Sequence, residues 1–170
     1  ILDRYFAAQA ANLTLEGMFG PLAKNVTVRH LATMTAGVPD YDTAKPNETD
    51  FSKSTDPFRE IVYSSPAKDW TPYDLLRLPW VAKGRMQFPP GTDKQYSSTN
   101  FVLLGLVLAA TVGGGVPWDR FDQLAFRSPR AAESGLLNRS RFARHGAPSE
   151  YTSLDAFDRT SYNGHSPSAL

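Results

Sequence analysis

The sequence predicts a mainly helical chain threaded with long loops, and three features carry that prediction. Two helix starts are written plainly: Thr27 ahead of Val28-Arg29-His30-Leu31, and Thr71-Pro72-Tyr73-Asp74. A strongly apolar run, Phe101 to Val112, is closed by Gly113-Gly114-Gly115. Between the first two lies a polar stretch, Asp40 to Trp70, holding Pro46, Pro57 and Pro66 and little periodicity. Long irregular stretches of that kind in a compact domain are usually a functional rim, an insertion or a loop.

Along the chain, Leu2 to Leu15 is loosely amphipathic and reads as a short helix closed by Gly17 and the Gly20-Pro21 breaker. Thr27 supplies a cap for a helix running to about Thr35, with Leu31 and Met34 at helical spacing and Gly37 as its stop. Gly37-Val38-Pro39-Asp40-Tyr41 is then a turn, and Pro57 to Tyr63 is the one periodic piece of the polar stretch. At Thr71 the cap, a proline in the first turn and an acidic residue near the positive end of the helix dipole coincide. Leu75, Leu76 and Leu78 are expected to face the core, with Pro79 limiting the helix.

Phe88-Pro89-Pro90-Gly91 reads as a rigid turn, and Ser97-Ser98-Thr99 supplies caps for the apolar helix. Asp119 to Phe126 has a helical pattern. Hydrophobicity falls near Ser128, so residues 1–127 are expected to form the helical core and 128–170 an Arg- and Ser-rich loop and tail.

Composition narrows the function classes. With 170 residues, 41% hydrophobic and 21% charged, the chain can bury a sizeable core. Lys and Arg total 18 against 17 acidic residues, and a net charge of +1 gives no broad electrostatic footprint for nucleic acid or an anionic membrane. The apolar run of 12 residues falls short of the roughly 20 a spanning helix needs. Without cysteine there is no thiol nucleophile, disulfide or thiolate metal site. His30, His145 and His165 are widely spaced and form no metal-binding motif, so neither metal nor cofactor is expected. Arg127, Arg130, Arg139, Arg141 and Arg144 read as a solvated loop, and Trp70, Trp80 and Trp118 as packing residues or walls of a substrate groove.

Four of the six asparagines, Asn12, Asn25, Asn47 and Asn138, begin Asn-x-Ser/Thr triplets. About one is expected by chance, and the excess points to a glycosylated protein of the secretory pathway. The chain opens Ile1-Leu2-Asp3, with no initiator Met and no charged leader before an apolar stretch, which reads as a truncated record.

Three blocks carry a family resemblance. Val26-Thr-Val-Arg-His-Leu-Ala-Thr-Met-Thr-Ala-Gly-Val-Pro-Asp-Tyr41 is similar to a helix ending in a Thr-Ser-Gly-Leu turn. Phe88-Pro-Pro-Gly-Thr-Asp-Lys-Gln-Tyr-Ser-Ser-Thr-Asn-Phe-Val-Leu-Leu-Gly105 looks like the segment holding a Tyr-x-Asn motif and its helix, and Ser149 to Gly164 resembles a downstream segment of longer members. Together they resemble an internal piece of the serine β-lactamase-related, penicillin-binding-protein-like hydrolases, in the branch of class C β-lactamases, D-alanyl-D-alanine peptidases and esterases. The resemblance implies an α/β (α+β) fold, of which this chain supplies the helical subdomain with the central sheet largely missing. It also implies acyl transfer through a covalent serine ester, with a small-molecule or peptide acyl substrate.

In that branch the Tyr-x-Asn tyrosine assists proton transfer, which places Tyr96 as general base; Ser98 stands where the motif has Asn. An unperturbed phenol titrates near 10, so a tyrosine base needs a neighbouring ammonium, and a shift of three units is about 4 kcal/mol. Asn offers both an acceptor and a donor, whereas Ser has one hydroxyl on a shorter arm. The single Ser-x-x-Lys string, Ser65-Pro66-Ala67-Lys68, follows the Thr27–Tyr41 block instead of preceding it, and no Lys-x-Gly or His-x-Gly occurs. The chain by itself is therefore expected to be inactive. The alternative is a non-catalytic binding or scaffold protein that keeps the fold with a degraded motif.

Overall fold

The computed structural model describes residues 1–42, 57–65, 68–82 and 85–121. The chain divides into two compact units, one of residues 1–65 and 70–121, the other of 66–69 and 122–170. The described residues of the first unit build the site. They form helices and loops, with no strand among them.

Helix α1 (Leu2–Ala8) ends at Gln9, earlier than the amphipathic pattern suggested. Ala10 and Asn12 adopt positive φ of 51° and 50°, which bends the chain before Thr14 starts α2 (Leu15–Phe19) by accepting the Gly17 N–H. Gly17 thus lies inside a helix and does not stop one. A 3₁₀ turn, Pro21–Asn25, leads to α3 (Val28–Ala32). Thr27 caps α3 as the sequence suggested, and the partner in its capping box is His30, whose Nδ1 accepts the Thr27 N–H at 3.3 Å. The helix closes at Thr33 and Met34 takes φ +62°, so Met34 leaves the helical register three residues before Gly37.

Helix α4 (Pro57–Ser64) coincides with the periodic piece of the polar stretch. Helix α5 (Pro72–Leu76) is built on the Thr71–Asp74 capping box: Asp74 Oδ2 accepts from Thr71 N–H at 3.0 Å, and Thr71 Oγ1 accepts from Asp74 N–H at 3.1 Å. Leu76 and Leu78 are buried, while Leu75 packs against the core from its edge. Helix α6 (Ser98–Thr111) starts three residues before the apolar run. Trp118–Arg120 is a 3₁₀ turn and Phe121 after it is extended, so the helix expected from Asp119 does not begin there; residues 122–126, like the proposed boundary near Ser128, lie outside the described residues.

The core gathers around α6, against which α1, α3 and α5 pack. Leu103, Leu106, Val107 and Ala109 bury one side of it beside Phe6, Phe19, Leu31, Val38 and Leu76. The helix is apolar around its whole circumference, so its other side leaves Phe101, Leu108 and Val112 exposed. Tyr5 fixes the far end of α6, its hydroxyl donating to the Val116 carbonyl at 2.8 Å, and Gln9 Nε2 donates to Gly115 O at 3.0 Å. Arg77 reaches across to donate to the Ala11 carbonyl.

Candidate active site

Two loops and the start of α6 bring the predicted residues together. The chain after α3 turns at Gly37, whose φ of +77° suits glycine; a Cβ there would lie 2.2 Å from the Phe88 carbonyl oxygen. That close approach locks the Phe88–Gly91 turn onto the Gly37 loop. Gln87 N–H donates to Gly37 O and Gly91 N–H to Thr35 O, each at 2.8 Å, and Gln95 N–H donates to Met34 O at 3.0 Å. The segment ending at Tyr96 is thereby strapped to residues 34–37 by main-chain bonds.

The start of α6 is then held by residues 39–41. Ser97 occupies the N-cap, but its side chain makes no capping bond; its hydroxyl turns inward and donates to Pro39 O at 3.3 Å. The expected Ser97 cap is thus replaced by Asp40, whose Oδ1 accepts the Ser98 N–H at 2.9 Å and the Asp42 N–H at 3.2 Å. A carboxylate at the N-terminal end of a helix answers both an unpaired donor and the dipole. Thr99 Oγ1 accepts the Tyr41 N–H at 3.1 Å, so its hydroxyl serves the neighbouring loop and not its own helix.

Ser97, Thr99 and Asn100 are each 1% exposed, a polar layer beneath the helix end. Asn100 Nδ2 donates to Ser97 O and contacts Met34 Sδ, both at 3.2 Å. Its Oδ1 is buried without a hydrogen-bond partner among the described residues.

Above this layer Tyr96 is 63% exposed. Its hydroxyl oxygen lies 3.5 Å from Ser98 Oγ, near the outer limit of a hydrogen bond, and its ring tilts at 55° against Phe101 with centroids 6.3 Å apart. Beside it, burial pushes the Tyr41 phenol above its ordinary value, with the charges of Asp42 and Asp40 and the nearby Tyr96 adding to the shift. The local arrangement is an accessible phenol next to a hydroxyl, on a rigid footing, with carboxylate as the charged group held by the helix start.

Asn12 and Asn25 are exposed; Asn47 and Asn138 lie outside the described residues, as do Pro66 and Ala67 of the Ser-x-x-Lys string. An apolar cavity of about 210 Å³, lined by Leu2, Phe19, Leu31, Val38, Leu103 and Val107 among others, does not include Tyr96 or Ser98 and offers no acid or base. Among the described residues no group of three or more His, Cys, Asp or Glu is placed to hold a metal ion, and no helix is long and apolar enough to cross a membrane.

In the sequence Asp40 shows only as a turn residue. Its role depends on Ser98, 58 positions later, and no local pattern connects the two.

The family model for beta-lactamase matches residues 11–127, and the chain belongs to that family. Among curated proteins and among solved structures, none matches the chain.

Proposed function

We propose that this chain is the helical part of a serine hydrolase that forms and breaks an acyl-serine ester on an ester, amide or β-lactam, with Tyr96 moving the proton and Ser98 beside it. The observation that carries the reading is the exposed Tyr96 hydroxyl, 3.5 Å from Ser98 Oγ at the head of the helix within the family match. A group that exchanges protons with substrate must be reachable within hydrogen-bond distance, which a buried ring could not satisfy.

In this reading the nucleophile is not Ser65, because the Ser65–Lys68 string follows the Thr27–Tyr41 block. The central sheet, the serine and the lysine that would favour the phenolate come from a longer polypeptide, and residues 1–170 alone do not turn over. The four Asn-x-Ser/Thr triplets support a secreted glycoprotein, with Asn12 and Asn25 on accessible surface. A second reading, a non-catalytic relative that keeps the fold as a binding module, is favoured by one observation: Ser98 stands where the motif has Asn.

Turnover of a chromogenic phenyl ester and a chromogenic cephalosporin by a longer polypeptide that includes a Ser-x-x-Lys upstream of Thr27 separates the two. Tyr96→Phe is expected to lower kcat by roughly 10²- to 10⁴-fold. Equal turnover by the variant removes Tyr96 from the chemistry, and no turnover by the parent favours the binding module.

A further inference from the structure

Met34 stands where the strapped loops meet the head of α6. It takes φ +62° just after α3, is half-buried, and accepts the Gln95 N–H on its carbonyl at 3.0 Å. Its thioether sulfur lies 3.2 Å from Nδ2 of Asn100, a side chain 1% exposed. The same Nδ2 donates to Ser97 O at 3.2 Å, and the Asn100 main-chain N–H donates to that carbonyl at 3.0 Å. Tyr96 is thus bracketed. The residue before it is held by the Met34 carbonyl, and the residue after it by the amide that the Met34 sulfur touches.

The methionines differ in what surrounds the sulfur. Met18 is 3% exposed, and Met86 packs against the core from its edge. Met34 combines partial access with a buried amide donor at its sulfur. A thioether is a weak acceptor, whereas the sulfoxide formed from it is polar and carries an oxygen that accepts hydrogen bonds well. An amide donor beside the sulfur therefore favours the oxidised form, and the added oxygen has to be accommodated between Met34 and Asn100.

We propose that Met34 is an oxidation site at which a peroxide forms the sulfoxide, and that the Met34–Asn100 contact carries the change to the residues on either side of Tyr96. A sulfur lone pair attacks one oxygen of hydrogen peroxide, so that the S–O bond forms as the O–O bond breaks. The departing hydroxide takes the proton from the newly bound oxygen and leaves as water; sulfur is oxidised and the peroxide reduced. Asn100 Nδ2 then turns to the sulfoxide oxygen, which leaves Ser97 O with the main-chain bond, and the larger polar head displaces the Met34 carbonyl from Gln95. The site lies at the junction already described but does not depend on Tyr96 acting as a base.

The test needs no turnover. The 170-residue chain is treated with hydrogen peroxide, and peptide mass spectrometry reads the gain of an oxygen at each methionine. Aromatic carbon–proton NMR follows the Tyr96 ring, assigned by its loss in Tyr96→Phe. Met34 is expected to oxidise about tenfold faster than the enclosed Met18. The Tyr96 signals are expected to shift in step with Met34 conversion and to return on treatment with methionine sulfoxide reductases of both epimer specificities. Met86→Leu should behave as the parent does, and in Met34→Leu the Tyr96 signals should stay in place under peroxide. If Met34→Leu does not fold, the match in Met86→Leu between the rate of Met34 conversion and the rate of the Tyr96 shift decides the point. No oxidation at Met34, Tyr96 signals indifferent to it, or a shift that persists in folded Met34→Leu overturns the proposal. Loss of the whole helical circular dichroism signal on oxidation overturns it too, since the change then spreads beyond the junction.

Discussion

Asp40 and Ser98 are joined by a 2.9 Å hydrogen bond from the Ser98 amide to the Asp40 carboxylate, and that bond seats the head of α6 on the turn after α3. The side chain nominally at the cap, Ser97, is engaged elsewhere. Asp40 therefore does the work of an N-cap from a distant loop.

Asp40→Ala is accordingly expected to destabilise the chain by about 1 kcal/mol, the range found for loss of a capping side chain. Asp40→Asn keeps an acceptor and should cost less. Urea unfolding followed by circular dichroism measures both; equal stability of Asp40→Ala and the parent would refute the capping role.

Two glycines should respond in opposite directions. Gly37→Ala puts a Cβ against the Phe88 carbonyl at a φ of +77° and should destabilise by more than about 1 kcal/mol. At Gly105, inside α6, a Cβ meets nothing within 4 Å, so Gly105→Ala should stabilise by up to about 1 kcal/mol. Thermal melts of the two variants check the contrast.

Core truncation gives a third check. Leu103 is 1% exposed and Leu76 0%, and replacing either by alanine should cost roughly 2–5 kcal/mol. Leu108, 43% exposed on the opposite side of α6, should change stability by no more than about 0.5 kcal/mol on the same substitution.

Alkaline pH should weaken the fold through Tyr5. Burial, followed by the neighbouring Tyr73 and the charge of Asp119, raises this phenol well above its ordinary value near 10. A phenol whose folded value is raised contributes stability that is fully present below the unfolded value, and that stability is lost as pH climbs from there toward the folded value. Tyr73 and Tyr41 are shifted upward as well, burial being the main cause in both. Stability measured between pH 8 and about 11 should fall at the upper end, and less steeply in Tyr5→Phe. That variant also loses the bond to Val116 O, at a cost of about 1 kcal/mol near neutral pH.

Ser98→Asn restores the motif's amide. In a longer, active polypeptide it should raise turnover relative to Ser98, and a fall would show that the serine is suited to its surroundings. The kcat values of the two forms decide this.

Sequence reading succeeded where the signal was local. The Thr27 and Thr71 caps reach only three residues along the chain, so a few letters suffice to foretell them, and both capping boxes form. What failed was either strained or long-range. Neither Ala10 nor Met34 is a residue type that advertises positive φ, so the sequence pattern runs past the ends of both helices. Serines before a helix suggest caps, yet Ser97 is turned inward by Pro39, and its replacement, Asp40, lies far away in sequence. The edge-to-face row of Tyr41, Phe58 and Trp70 shows only as separate letters until the fold places the rings side by side.

The uncovered side of α6 has a practical outcome. Phe101, Leu108 and Val112 offer water three large greasy surfaces, and a net charge of +1 supplies little repulsion between molecules. Concentrated solutions of the isolated chain should turn cloudy near neutral pH, and a charged residue such as Leu108→Glu should keep them clear.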